Sequence, residues 1–416
     1  MNIYLVAILA ILIGSYLLDL IADLLNLRHI DPCLPNEFKD VYDPLKYGKS
    51  QEYLRENTKL SLMADGLMTA LTIGFILFGG FDSVDRFARS FGLGRISTGL
   101  IFAGGVMLLS QLCHVPFDAY HTFVIEEKFG FNKTTPGTFI TDILKKWLLG
   151  ALLGGILFSA VIWIFRAAGP LAWLYCWGVV ALFQLGIIFI APAVIMPIFN
   201  KFTPLEDGEL KTAIEGYAGS QDFKMKGVFR MDASRRSSKS NAFFTGFGKL
   251  RRIVLFDTLI QKHTVDELVS VLAHEMGHYK KRHVLTSTLF MVLTTGLMFF
   301  ILSLFINNRG LFEAFGMSHI SIYASIFFFG ILFIPVQTAL SIFGEILSRR
   351  HEYKADAYAA MTYGKPGAMI SALKKLSVDN LSNLTPHPFK VFLDYSHPPV
   401  LQRIAALQKY SSVRAE

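Results

Sequence analysis

The pentapeptide His274-Glu275-Met276-Gly277-His278 holds the residues best suited to chemistry in this chain. On a helix, residues four positions apart lie on one face, so the imidazoles of His274 and His278 can bind the same metal ion. The carboxylate of Glu275 then lies where it can take a proton from water on that metal. This spacing is typical of zinc peptidases and predicts hydrolysis of a peptide bond.

A catalytic zinc ion needs a third protein ligand, and the segment SRRHEYKAD at residues 348–356 supplies a candidate. Glu352 and Asp356 are four residues apart, so they share one helical face. We predict Glu352 as the third ligand. We predict that Asp356, one turn later, accepts a hydrogen bond from a ligating imidazole and fixes its tautomer. A charged helix without a metal has the same spacing, so this prediction depends on the HEMGH motif.

Local sequence signals indicate how the motif is positioned. Thr264 is a suitable N-cap for an amphipathic helix that begins near Val265 and carries HEMGH. Two short apolar runs upstream, Gly227–Met231 and Arg252–Phe256, are predicted as β-strands. The zinc helix is therefore expected to follow a small sheet.

The composition predicts a membrane protein. Of the 416 residues, 52% are hydrophobic and only 17% are charged, against about 25% charged in soluble domains. Seven apolar stretches can each cross a hydrocarbon layer of about 30 Å. They are residues 3–25, 62–81, 96–117, 147–165, 171–196, 284–306 and 320–344. The first carries Asp19 and Asp23, so either its spanning part ends early or that face lines a wet interior.

These stretches divide the chain into four parts. Residues 1–199 hold spans one to five, and residues 284–348 hold spans six and seven. Residues 200–283 form a protease segment with the HEMGH helix, and residues 349–416 form a C-terminal segment with the third ligand. The two polar segments are expected to pack together as one small α+β domain against the membrane.

The distribution of positive charge predicts the orientation. The segments after spans one, three and five and the C-terminal tail hold 6, 4, 15 and 10 Lys and Arg residues. The segments after spans two, four and six hold 3, 1 and 1. This bias places the N-terminus outside and the C-terminus in the cytoplasm. The net charge of +8 is attributed to contact with lipid, because no basic tract with interleaved aromatics suggests a nucleic-acid partner.

The HEMGH motif, the SRRHEYKAD segment and the seven spans together resemble the type I CAAX prenyl endopeptidases. These are integral-membrane zinc proteases of the gluzincin type, and the resemblance extends over essentially the whole chain. Further matching segments are FDAY at 117–120, FGFN at 129–132, PIFN at 197–200, SSKSNAFFTG at 237–246 and SHPP at 396–399.

The resemblance implies seven helices around a large interior chamber, with one Zn²⁺ per chain held by His274, His278 and Glu352. Glu275 would be the general base, which takes a proton from water and delivers it to the leaving amine. The implied substrate is a peptide or protein, including one with a prenylated C-terminus from which the C-terminal tripeptide is removed.

Four further residues have roles that only the resemblance implies. Asn241 and Ala242 would lie on an edge strand that binds the substrate backbone by β-augmentation. His397 and Arg403 would hold substrate or stabilise the developing oxyanion.

Other observations bear on the location and on alternatives. The chain is compact and ends in VRAE, without a Lys/His-Asp-Glu-Leu retrieval signal, which favours the inner membrane of a bacterium. A membrane-protein quality-control zinc peptidase is one alternative. An intramembrane protease, whose third ligand is an aspartate inside a span, is another. A transporter with a structural metal is a third.

Overall fold

The computed structural model describes residues 2–245 and 252–412. Gly246, the last residue of the SSKSNAFFTG segment, lies outside the described residues. So do residues 413–416, at the end of the predicted C-terminal segment, and Met1. The described chain is mainly helical with one small sheet, which confirms the expected fold class.

The first half of the chain is helical. Its α-helices are α1 Ile3–Arg28, α2 Pro44–Leu77, α3 Gly80–Ser90, α4 Arg95–Tyr120, α5 Glu126–Lys128, α6 Pro136–Ala167, α7 Ala172–Ile190 and α8 Met196–Phe199. Short 3₁₀-helices cover Asn36–Phe38 and Gly169–Leu171. Two π-helical turns, His121–Ile125 and Ala191–Ile195, join α4 to α5 and α7 to α8.

The second half combines strands with helices. The strands are β1 Phe202–Pro204, β2 Gly227–Met231, β3 Ala242–Thr245 and β4 Arg252–Phe256, with a 3₁₀-helix at Ala233–Arg235. The α-helices are α9 Glu209–Ser220, α10 Asp257–Lys262, α11 Val265–Lys280, α12 His283–Phe305, α13 Arg309–Ala314, α14 Ile322–Tyr363, α15 Pro366–Asp379, α16 Pro388–Asp394 and α17 Val400–Ser412.

Seven helices are long and apolar enough to cross a membrane, and they coincide with the seven predicted spans. The largest boundary error is in the second span, which was predicted to reach Phe81 although its helix ends at Leu77. Gly79 follows with φ 70°, a conformation that glycine adopts freely, and turns the chain into α3. The sixth span was predicted to end one residue too late and the seventh to begin two residues too early. The seventh helix continues beyond its span to Tyr363 and so carries the SRRHEYKAD segment as predicted.

The sheet has the strand order β1-β2-β4-β3. The pairs β1–β2 and β3–β4 are antiparallel, whereas β2 and β4 run parallel with Gly227 opposite Arg252. Both strands predicted from sequence are confirmed with their predicted bounds. Strand β3 lies at one edge of the sheet that the described residues form.

Helix α11 begins as its sequence predicts. The hydroxyl of Thr264 accepts from the backbone N–H of Glu267, whose carboxylate accepts from the N–H of Thr264. This capping box satisfies two of the free donors at the helix start. Ser371 and Lys375 of α15 also donate to the buried Glu267 carboxylate, which joins α11 to the C-terminal segment.

Helix α1 and the segment that follows it pack against the C-terminal segment. Three aromatic residues after α1 form a hydrophobic cluster with three residues of the C-terminal segment; they are Phe38, Tyr42 and Tyr47 with Val378, Leu384 and Ile404. Near the end of α1, the buried Asp23 carboxylate pairs with the Lys390 ammonium of α16 at 2.5 Å. This acid of the first span therefore joins α1 to the C-terminal segment.

The crossing of α11 and α14 is unusually close at Gly277, inside the HEMGH motif. A Cβ atom on Gly277 would lie 3.0 Å from the Cα of Ala355, 3.1 Å from its carbonyl oxygen and 3.2 Å from the Cβ of Tyr358. Backbone atoms cannot move aside as a flexible side chain can. The absence of a side chain at position 277 therefore sets the separation of the two helices.

We expect Gly277→Ala to destabilise the protein by about 1–3 kcal/mol, because the added methyl group pushes α14 away. Gly216→Ala in α9 is the matched control, since nothing lies within 4 Å of its Cβ position. That change should stabilise by up to about 1 kcal/mol through helix propensity. Apparent midpoints of thermal unfolding in detergent measure both. Equal midpoints for the two variants would contradict a tight crossing.

Candidate metal centre

Two helices bring the three predicted ligands together. His274 and His278 lie one turn apart on α11, and Glu352 lies on α14 directly across the crossing. The two Nε2 atoms are 3.1 Å apart. The Glu352 carboxylate oxygens lie 3.4 Å from Nε2 of His274 and 3.1 Å from Nε2 of His278. Among the described residues, these three side chains form the group that could hold a metal ion.

The geometry fits a tetrahedral metal ion. With bonds of about 2.0–2.1 Å, the ligand atoms of a zinc site lie about 3.3 Å from one another. The two Nε2 atoms lie close to this distance from each other, and each lies close to it from one of the two Glu352 oxygens. Glu352 is only 3% exposed, and its Oε2 accepts no hydrogen bond from the described residues. Two nitrogens and one carboxylate oxygen form a donor set typical of a catalytic zinc.

Asp356 contacts the imidazole of His274, the ring that it is predicted to orient. Oδ1 of Asp356 lies 2.8 Å from Nδ1 of His274, on the side of the ring away from the other ligands. Burial lowers the pKa of His274, but the carboxylates of Asp356 and Glu352 outweigh it and raise the pKa to about 9. The Asp356 carboxylate orients the ring so that Nε2 faces the other predicted ligands.

Arg403 lies behind the ligands. Its Nε donates to Oδ2 of Asp356 at 2.8 Å and its Nη2 to Oδ1 at 2.6 Å, a bidentate pair. Its Nη1 lies 3.1 Å from Oε2 of Glu352. The guanidinium thus holds both carboxylates in place. Its role with substrate stays a prediction.

Glu275 and His397 border the cavity beside the ligands. Burial raises the pKa of Glu275 above its usual range, which suits a carboxylate that takes up a proton near neutral pH. The side chain of His397 is 62% exposed, with its Nε2 3.5 Å from Oε1 of Glu352. His397 is therefore free to meet a substrate.

The cavity has a volume of about 530 Å³ and continues from the ligands along the start of α12. Val284, Ser287, Thr288 and Met291 line it, and their spacing places them on one face of that helix. Ile188 of α7 also lines it. The space beside the predicted ligands therefore extends towards the membrane spans.

Strand β3 offers its backbone at the edge of the sheet. The N–H of Phe256 donates to the carbonyl of Asn241 at 3.1 Å, so Asn241 faces β4 and Ala242 faces outward. The outward N–H of Ala242 donates to Oδ1 of Asn241 at 2.8 Å. Phe244, two residues on, lines the cavity. The open backbone edge and the predicted ligands are therefore neighbours.

Three residues that no sequence motif indicates fix the chain before β3. Nζ of Lys239 donates to Oη of Tyr53 at 2.7 Å and to Oε1 of Glu126 at 3.0 Å. The side chain of Asn380 bonds both the N–H and the carbonyl of Ser240. Tyr53, Glu126 and Asn380 are far from this segment in sequence, so spacing could not reveal them.

Comparison with known proteins identifies the family. Residues 23–201 match a model described as CAAX prenyl protease N-terminal, five membrane helices, and residues 204–411 match peptidase family M48. A CAAX prenyl protease 1 homolog of Oryza sativa subsp. japonica is 37% identical, over 98% of both chains. This chain belongs to the CAAX prenyl protease 1 family.

Further relatives have similar coverage. CAAX prenyl protease 1 of Saccharomyces cerevisiae is 35% identical, over 91% of this chain and 89% of its own. The crystal structure of S. mikatae Ste24p has a TM-score of 0.93 and 32% identity, covering 98% of this chain and 99% of that one. As a member of the CAAX prenyl protease 1 family, the protein is an integral-membrane metalloendopeptidase.

Asp356 offers a test of the ligand assignment in this member of the family. We expect Asp356→Ala to weaken metal binding by about 10–100-fold, because His274 loses the acceptor that orients its ring. Asp356→Asn keeps a neutral acceptor and should weaken it less. Competition with a fluorescent chelator measures the affinity, with Glu215→Gln on the exposed face of α9 as control. Unchanged affinity in Asp356→Ala would refute the supporting role.

Proposed function

We propose that the protein is a zinc endopeptidase that removes the C-terminal tripeptide of prenylated proteins. The observation that carries this proposal is the convergence of His274, His278 and Glu352 beside Glu275, in a cavity that continues towards the spans. The names of the relatives support the substrate class, since they are CAAX prenyl proteases. We assign one Zn²⁺ per chain to the three ligands.

Zinc bound there would supply a Lewis acid that polarises the scissile carbonyl and makes water acidic enough to react near neutral pH. Glu275 accepts the proton of the attacking water at its carboxylate and then delivers it to the leaving amine. Its place in the cavity, next in sequence to His274, supports this role. Asp356 and Arg403 hold His274 and Glu352 in position while the proton moves.

The substrate backbone pairs with the outer edge of β3. Ala242 provides an outward N–H, and Asn241 moves its side chain away from that N–H to let the substrate bind. His397 donates to a substrate oxygen, which its exposure and its closeness to Glu352 support. Arg403 holds substrate or stabilises the developing oxyanion, and it does so while it contacts the carboxylates of Asp356 and Glu352.

The N-terminus lies outside and the C-terminus in the cytoplasm. Packing supports this orientation, because the segments after spans one, three and five contact the C-terminal segment or one another. These are the segments richest in Lys and Arg, and the rule for membrane proteins places such segments in the cytoplasm. The four-part division of the chain, the large interior chamber and the bacterial inner membrane stay predictions.

We expect Glu275→Gln to lower kcat by about 10²–10⁴-fold, because the amide cannot take up the proton. Zinc content should stay stoichiometric, since the substitution leaves all three ligands intact. Peptide cleavage in detergent and metal analysis of the same sample measure the two effects. Full peptidase activity in this variant would end the proposed mechanism.

The substrate class is tested with matched peptides that end in cysteine, two aliphatic residues and a variable residue, with and without a farnesyl group. We expect release of a tripeptide, with kcat/KM at least about tenfold higher for the farnesylated peptide, because each buried methylene contributes ~0.8 kcal/mol. A chelator should abolish cleavage, and added zinc should restore it.

Each other outcome of this experiment has a definite meaning. Equal cleavage of both peptides would show that the lipid is not read and would favour a quality-control peptidase. Stoichiometric zinc without cleavage of any peptide would favour a transporter. Cleavage that persists without metal would refute the zinc mechanism itself.

A further inference from the structure

Three histidine rings are packed against one another on the side of His278 away from the other ligands. Nδ1 of His283 lies 3.1 Å from Nδ1 of His278. The ring of His283 stacks on that of His351, with centroids 4.0 Å apart and planes 9° from parallel. His283 and His351 are only 4% and 6% exposed. No role for either ring follows from the motifs in the sequence.

A break between α11 and α12 brings His283 to this place. Along an unbroken helix, a residue five positions after His278 would lie about 140° around the axis from it. Instead, the chain turns at Arg282, which has φ 58°, a left-handed conformation that is unfavourable for any residue other than glycine. The backbone is held in this costly conformation at the one residue that returns His283 to His278.

The hydrogen bond between the two rings acquires a direction when His278 binds a metal. A neutral imidazole carries one proton, and a metal on Nε2 leaves that proton on Nδ1. Nδ1 of His278 is then a donor, so Nδ1 of His283 must accept, and the proton of His283 must lie on its own Nε2. The metal thus determines the tautomers of both rings.

We propose that His283 is the positioning residue of the metal ligand His278, with His351 holding the His283 ring in its plane. His283 would do for His278 what Asp356 does for His274, with a neutral acceptor instead of a carboxylate. The two imidazole ligands would then differ in basicity, and His274 would be the stronger. This inference rests on the zinc site of the proposed function.

The stacked arrangement does not suit a second metal site. The lone pair of an imidazole lies in the plane of its ring, so the lone pairs of two parallel rings do not converge on one ion. The group of possible metal ligands among the described residues likewise contains neither His283 nor His351. Support of His278 is therefore the role that this geometry favours.

The test compares His283→Asn with His283→Phe. The Oδ1 atom of asparagine can take the place of Nδ1 and accept from His278, whereas phenylalanine fills the space but accepts nothing. We expect His283→Phe to weaken zinc binding by about 10–100-fold and His283→Asn by less than about threefold. Competition with a fluorescent chelator measures zinc affinity. The visible spectrum of the Co²⁺-substituted protein should change in His283→Phe only.

The decisive result is which of the two variants binds zinc more tightly. If His283 only fills space, phenylalanine should be tolerated at least as well as asparagine, and that result would overturn the proposal. Wild-type affinity in both variants would also overturn it. His351→Phe keeps a stacking ring and should bind zinc like the wild type, whereas His351→Ala should bind more weakly.

A measurement on the wild type keeps the proposal falsifiable if the variants do not fold. In zinc-loaded protein with ¹⁵N-labelled histidine, NMR should show the proton of His278 on Nδ1 and that of His283 on Nε2. A proton on Nδ1 of His283 would refute the inference. A wild type that binds no zinc would instead refute the proposed function, so the two failures are distinguishable.

Discussion

The close crossing of α11 and α14 is the constraint on which the rest of the site depends. Gly277 permits the backbones to approach, and Ala355 faces it with a small side chain. At this separation a carboxylate on one helix reaches two imidazoles on the other within 3.4 Å. If the two helices were farther apart, the same residues in the same sequence pattern could not bind one common metal ion. The HEMGH motif therefore determines the packing of the two helices as well as the chemistry of the site.

The close approach of α11 and α14 buries charged groups, which explains why Asp356 and Arg403 form a pair behind the ligands. Burying an unpaired ion costs several kcal/mol, whereas a paired and hydrogen-bonded ion is tolerated. Asp356 and Arg403 are 1% and 8% exposed and satisfy each other through two hydrogen bonds. Glu352 joins this buried group through its contact with the Arg403 guanidinium at 3.1 Å.

The sequence was sufficient wherever the physical cause is local. The spacing in HEMGH, the cap at Thr264 and the two apolar runs predict the zinc helix and two strands, because each depends on residues within a few positions. Glu352 could also be predicted from the sequence, since it shares a helical face with Asp356. The resemblance to a family pointed to Arg403, but its bidentate pair with a residue 47 positions away is a tertiary contact.

Other features depended on where the chain turns, which spacing does not show. The end of α2 was placed too late because the hydropathy of residues 78–81 continues while Gly79 turns the backbone. His283 was missed for the same reason, since its contact with His278 requires the left-handed residue before it. Periodicity assumes a continuous element. It fails where one residue breaks the helix and redirects the chain.

The spans and the protease segment depend on each other through a few polar contacts. Arg236 forms a bidentate pair with Asp142 near the start of α6, and Lys239 reaches Tyr53 of α2 and Glu126 of α5. Both basic residues lie within six positions of Ala242 on the open edge of β3. The segment that leads into β3 is thus held by helices that continue into the membrane spans, while α11 is followed directly by the spanning helix α12. Movement of the spans would therefore change the distance between strand β3 and the predicted metal ligands, which couples the membrane helices to the geometry of the site.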